Sequence, residues 1–164
     1  MNDVEETTGK KQLVGVGGWL AFLVAVLFIL GPILSLLLTL GEVSSTEKQY
    51  PEIVGNELWA NIKLVIWATL ASQIAISIFA GYRLNSRRVP ATVPIVIACL
   101  WLMGPVLNFL AFLIVSAMNQ QADASTNEIA VEIFRSVMTA TGWTAYLLLS
   151  RRVKNTYRRG NHTE

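Results

Sequence analysis

Residues Ile78–Leu100 read IFAGYRLNSRRVPATVPIVIACL. Two apolar runs meet here across Arg83, Arg87 and Arg88, with too few residues between them for a folded linker. Upstream, residues 64–82 carry no charge over about 19 positions, which at 1.5 Å rise per residue matches a hydrocarbon core of ~30 Å. Downstream, residues 89–119 are uncharged over about 31 positions, longer than that core requires. This run is expected to tilt, kink or protrude. Pro90 and Pro94 stand at its start, where a helix tolerates proline. The stretch therefore predicts a helical hairpin that crosses a membrane, turns at arginines and crosses back.

Two further runs flank this hairpin. Residues 15–41 exceed the ~7 to 15 apolar residues of a signal peptide and lack a small-x-small cleavage site, so they read as a retained first span. The last run, residues 136–150, is short. Extending it back to 129 takes in Glu132 and Arg135, which fall on one helix face and can pair at the interface. The expected fold is an all-α membrane protein with four transmembrane helices over 15–41, 64–82, 89–119 and 129–150. Residues 1–14 form an N-terminal tail, 15–150 the transmembrane domain and 151–164 a basic C-terminal tail. The mean hydropathy of +0.49 and 53% hydrophobic residues point to a bilayer as solvent.

Charge distribution orients the bundle. Lys10, Lys11, Arg83, Arg87, Arg88, Arg151, Arg152, Lys154, Arg158 and Arg159 flank one side, whereas the other holds Lys48, Lys63 and Arg135 among seven acids. The basic side is the cytoplasmic one, which puts both termini in the cytoplasm of a multi-pass protein. Arg87, Arg88, Arg151, Arg152 and Lys154 form a basic inner edge that suits anionic lipid. Because 13 Lys and Arg nearly balance 11 Asp and Glu, no nucleic-acid partner is expected.

The chain also matches itself. Phe79-x-x-Tyr82-x-Leu84-x-Ser86-Arg87-Arg88-Val89 aligns with Trp143-x-x-Tyr146-x-Leu148-x-Ser150-Arg151-Arg152-Val153, and Gly31-Pro32-Ile33-Leu34-Ser35 aligns with Gly104-Pro105-Val106-Leu107-Asn108. Two ordered matches predict tandem helical hairpins in parallel, related by an axis along the membrane normal. Gly31, Pro32, Gly104 and Pro105 are then paired mid-span kinks. In α-helical register each proline frees the carbonyl four residues earlier, that of Phe28 and Trp101. Hydrocarbon does not solvate such carbonyls, so the kinks should face a protein interior or hydrated pocket, where Ser35, Gln73, Asn108 or Thr139 can donate.

No acid or base lies mid-span, which weighs against proton-coupled transport. The single cysteine, Cys99, excludes an internal disulfide and a cysteine zinc cluster, and the single histidine, His162, sits in the terminal tail. No catalytic set, metal site or cofactor motif is present, so no enzyme activity is expected. Glu42, Glu47, Glu52 and Glu57 read as a solvated loop. Small residues four apart, namely Ala68 and Ser72, Ala71 and Ala75, Ser77 and Gly81, and Ser136, Ala140 and Thr144, allow close helix approach within the monomer or across a homodimer.

Gly18-Trp19-Leu20, Trp143-x-x-Tyr146 and the closing Ser150-Arg151-Arg152-Val153-Lys154-Asn155-Thr156-Tyr157 together resemble the YdgK-like bacterial inner-membrane proteins, whose domain has no known function. The resemblance spans Gly18 to Tyr157 and implies a four-span protein of the bacterial inner membrane. It carries no catalytic or binding residue. The expected role is a non-catalytic interaction or accessory protein that packs against lipid, a second copy or another membrane protein. The competing expectation is a small transporter or channel with its site at the Gly-Pro kinks.

Overall fold

The computed structural model describes residues 18–87, 89–118 and 126–158, and among them every regular element is helical. Helix α1 spans Trp19–Gln49 and contains a π-helical turn at Val26–Leu30. After a 3-10 turn at Pro51–Ile53 come α2 (Glu57–Ser86), α3 (Thr92–Met118, with a π turn at Leu102–Val106), α4 (Thr126–Leu149) and α5 (Arg151–Arg158). The helices α1, α2 and α3 are each long and apolar enough to cross a membrane.

The helices overrun the hydrocarbon stretches. Helix α1 continues through Glu42 and Glu47 to Gln49, so these two glutamates are helical, in contrast to the loop expected from hydropathy. Backbone hydrogen bonds do not stop where apolar side chains do. Glu47 reaches across to α2, accepting from Lys63 Nζ at 2.8 Å and Trp59 Nε1 at 3.0 Å. Helix α2 starts seven residues before the uncharged run, at Glu57, because the Asn56 side chain caps it by accepting from the Leu58 N–H at 2.8 Å.

Close packing is densest toward one end of the bundle. Leu20, Leu23 and Leu27 of α1 meet Ala80 and Leu84 of α2, Val96 and Leu100 of α3, Leu147 of α4, and Val153 and Tyr157 of α5. By contrast, Gly31–Gln49 and Leu107–Met118 contain no buried residue. Leu34, Leu37, Leu38, Phe109, Leu113 and Ile114 all lie open on those outer halves, as side chains that face lipid do.

Small residues bring α1 and α2 together. A Cβ on Gly81 would sit 3.3 Å from both the backbone nitrogen and Cβ of Phe28, and Ser77 and Ala80 on the same face are buried. Here the Ser77–Gly81 spacing serves packing inside the monomer. Ala68, Ala71, Ser72 and Ala75 are exposed instead.

Helix α5 is an integral part of this core. The Ser150 hydroxyl oxygen accepts from the Val153 N–H at 3.5 Å and starts the helix, whose Val153, Thr156 and Tyr157 turn inward at i, i+3 and i+4 spacing. The Tyr157 hydroxyl donates to the Leu84 carbonyl at 2.5 Å, satisfying a backbone acceptor in the last turn of α2. Residues 151–158 are thus a docked helix, and only 159–164 of the predicted tail lie outside the described residues.

Candidate functional site: an amide-lined cleft between two π turns

Proline at position 32 cannot donate a backbone hydrogen bond, and α1 accommodates this by shifting register one residue early. The Gly31 N–H bonds to the Val26 carbonyl, five residues back. In that register the next bond would join residue 32 to Leu27, and the proline leaves the Leu27 carbonyl without a backbone donor. Ser77 of α2 supplies one, its Oγ donating to Leu27 O at 2.6 Å. The side-chain donor therefore goes to Leu27 and not to Phe28, the carbonyl that an undisturbed α-helical count indicates. Gly31 is required by the same turn, since a Cβ there would lie 2.8 Å from Val26 O.

In α3 the π turn encloses its Gly-Pro pair. The Leu107 N–H reaches the Leu102 carbonyl, and the five-residue register pairs Trp101 O with Val106, past Pro105. Pro105 is buried. The two Gly-Pro sites share a π turn but not its phase, because Gly31 follows its turn whereas Gly104 lies inside.

Between these turns lies a cleft of about 240 Å³ lined by Gly31, Pro32, Ser35, Gln73, Ile74, Ser77, Met103, Gly104 and Asn108. Gln73 Nε2 donates to Asn108 Oδ1 at 2.7 Å across α2 and α3. A carboxamide pair joined by one bond retains a carbonyl oxygen on one partner and an amino group on the other. Those groups make no other hydrogen bond among the described residues. Ser35 donates to its own turn, to Pro32 O at 3.1 Å. Three of the four polar residues expected at the kinks, Ser35, Gln73 and Asn108, thus line one cleft.

Thr139 lies elsewhere. It is exposed, donates to Arg135 O at 2.9 Å, and lines a second cavity, also of about 240 Å³, between α1, α3 and α4. Glu132 and Arg135 line that cavity too, 3.8 Å apart and largely exposed, as their spacing suggested. Met103 and Gly104 border both cavities. The position of Met103 in the π turn of α3 was not singled out by sequence, since nothing in an apolar run marks a residue that divides two spaces.

Arg87 and Arg151 are exposed at the packed end, together with Lys154, and Arg152 is half-buried beside Gly18, where a Cβ would meet its Nη1 at 3.0 Å. Arg88 is outside the described residues. An aromatic row, Trp19, Phe22, Trp143 and Tyr146, runs from α1 to α4 with successive ring centroids 5.6, 6.3 and 6.0 Å apart. Gly18-Trp19-Leu20, Trp143-x-x-Tyr146 and the closing Ser150–Tyr157 stretch therefore meet in one place, around the docked α5.

A family model described as protein of unknown function (DUF2569) matches residues 13–158. The chain belongs to this DUF2569 family. The matched region extends from before α1 to the end of α5, so the cleft, the second cavity and the docked helix all fall within the family domain. No curated protein and no solved structure matches the chain. Among the described residues no group of His, Cys, Asp and Glu is arranged to hold a metal ion.

Proposed function

We propose that this DUF2569 protein is a non-catalytic four-span membrane protein that binds an uncharged, hydrogen-bonding ligand in the cleft between its two π turns, as a small transporter or channel does. The carrying observation is the Gln73–Asn108 pair, which lines a cleft bounded by both Gly-Pro segments and keeps amide groups with no other hydrogen bond among the described residues. An amide lining without a charged group suits a neutral polar ligand, because it offers hydrogen bonds but no counter-charge. π turns are frequent at functional sites, which agrees with this placement.

The fourth span in this reading is α4, whose 24 residues would extend about 36 Å at the helical rise, with the Glu132–Arg135 pair near its outer end. Both termini are cytoplasmic and the membrane is the bacterial inner membrane of the YdgK-like proteins. The tandem hairpin duplication belongs to the same proposal and draws support from the π turn at each Gly-Pro. Its halves have diverged, since Leu84 is buried where its counterpart Leu148 is 53% exposed.

A second reading, an accessory protein that pairs with another membrane protein or a second copy, is favoured by the exposed Ala68, Ala71, Ser72 and Ala75 on α2. One experiment separates the two. In a Cys99→Ala background, Asn108→Cys should react with a water-soluble methanethiosulfonate in intact membranes far faster than lipid-facing Leu113→Cys. Equal inertness of both would remove the hydrated cleft and leave the accessory reading. Glu52→Cys should label from outside intact cells, and Arg87→Cys only after permeabilisation.

A further inference from the structure

The packed end of the bundle carries a groove that the amide cleft does not use. It has a volume of about 270 Å³ and lies where the start of α3, the end of α4 and α5 converge. Its walls are apolar, from Pro90, Pro94, Leu148, Val153 and Tyr157, and Lys154 stands among them as the one cation. Lys154 is exposed and forms no ion pair among the described residues.

The surrounding charge is one-sided. Arg87, Arg151 and Arg152 lie at the same end as Lys154, whereas Glu42, Glu47, Glu52, Glu57 and Glu132, the acids whose side chains are described, lie toward the opposite helix ends. Arg83, a turn before Arg87, has a buried Nε without a hydrogen-bond partner among the described residues. A cationic rim with no counter-charge among the described residues, above an apolar groove at the end of membrane-crossing helices, has the chemistry of one amphiphile. The head must be an anion, and the part that fills the groove must be hydrocarbon.

We infer that this groove is a binding site for an anionic phospholipid, with an acyl chain against Pro90, Pro94 and Leu148 and the phosphate at Lys154. Zwitterionic lipid fits the hydrocarbon part equally well, so preference for the anionic head comes from the basic rim. The α5 helix builds both features at once. It turns Val153 and Tyr157 inward to wall the groove and holds Lys154 outward at its mouth. The inference is independent of the amide cleft and of which side of the membrane is cytoplasmic.

The test uses the purified full chain in neutral detergent, with dioleoyl phosphatidylglycerol, dioleoyl phosphatidylcholine or inorganic phosphate as probe. Native mass spectrometry reports retained lipid and thermal unfolding reports stabilisation. Phosphatidylglycerol should be retained in preference to phosphatidylcholine. Lys154→Ala should weaken its retention about fivefold, the loss expected for one basic group near a lipid surface, while Lys154→Arg should keep it. Leu148→Trp, which fills the groove from an exposed position, should reduce retention with the rim charge intact. Equal retention of the two lipids overturns the inference, as does phosphatidylglycerol binding unchanged in both Lys154→Ala and Leu148→Trp. Stabilisation by inorganic phosphate equal to that by phosphatidylglycerol also overturns it, in favour of a free-anion site.

Discussion

The Ser77 hydroxyl donates to the Leu27 carbonyl at 2.6 Å, joining two helices at the point where Pro32 interrupts the backbone ladder of the first. A buried carbonyl without a donor is costly in an apolar medium, so this bond allows α1 to keep a proline in mid-span with the Leu27 carbonyl satisfied. Ser77→Ala removes the donor and leaves the acceptor in place. The expected loss is about 1–2 kcal/mol of unfolding free energy in detergent, with insertion and topology unchanged. Chemical unfolding of the two proteins side by side measures it. An alanine variant as stable as the parent would mean that Leu27 O finds another donor.

The glycines around this bond differ in what a methyl group meets. Gly31→Ala places a Cβ 2.8 Å from Val26 O, and Gly81→Ala places one 3.3 Å from the Phe28 backbone, so each should destabilise by about 1–3 kcal/mol through displacement of rigid backbone. Gly142 is also helical, and a Cβ there meets nothing within 4 Å. Gly142→Ala should be neutral or gain up to ~1 kcal/mol from helix propensity. Melting temperatures of the three variants in one detergent test the ordering, and a Gly31→Ala protein more stable than Gly142→Ala contradicts the π-turn account.

Several of these features were legible in the sequence. Gln73 and Asn108 stood out because a carboxamide in an uncharged run needs a partner, and the Ser77–Gly81 spacing indicated close approach. The identity of the orphan carbonyl was not legible, because a π turn moves every later bond by one residue and leaves no periodic trace. Glu42 and Glu47 were expected in a loop since hydropathy ends a span at the hydrocarbon edge, while the helix continues and ties Glu47 to Lys63 and Trp59. The docking of α5 was hidden for a different reason. Its apolar face comprises Val153, Thr156 and Tyr157 among charges, and the acceptor of Tyr157 lies 73 residues away.

Tyr157 gives a graded test of that docking. Tyr157→Phe keeps the buried ring and removes the hydroxyl from Leu84 O, which should cost about 1 kcal/mol. Tyr157→Ala also empties a fully buried site and should cost about 3–5 kcal/mol. Limited proteolysis after Ser150 should be slow in the parent and fast in the alanine variant. If all three proteins were cleaved alike, α5 would not be held by this side chain.

The Gln73–Asn108 pair offers the sharpest test of the cleft, because packing and ligand binding make opposite demands on it. If the bond at 2.7 Å serves only to join α2 to α3, the double-mutant cycle of Gln73→Leu and Asn108→Leu should show a coupling of ~0.6–2 kcal/mol, as interhelical bonds in membranes do. Each single variant would then lose stability, because the remaining amide keeps a polar group with no partner. Asn108→Ser, the residue type at the aligned position Ser35, should lose less. A ligand site predicts a different pattern. Amides held open for a ligand are imperfectly satisfied in the empty protein, so the leucine variants should be close to neutral or stabilising, while any cellular phenotype of a deletion is not rescued by them. Unfolding free energies of the four members of the cycle, set beside complementation of a deletion strain, separate the cases. Strong coupling with full complementation would reduce the pair to a helix clasp and withdraw the proposed ligand. Weak coupling with lost complementation would assign the amides to binding, since stability would then have no part in the defect.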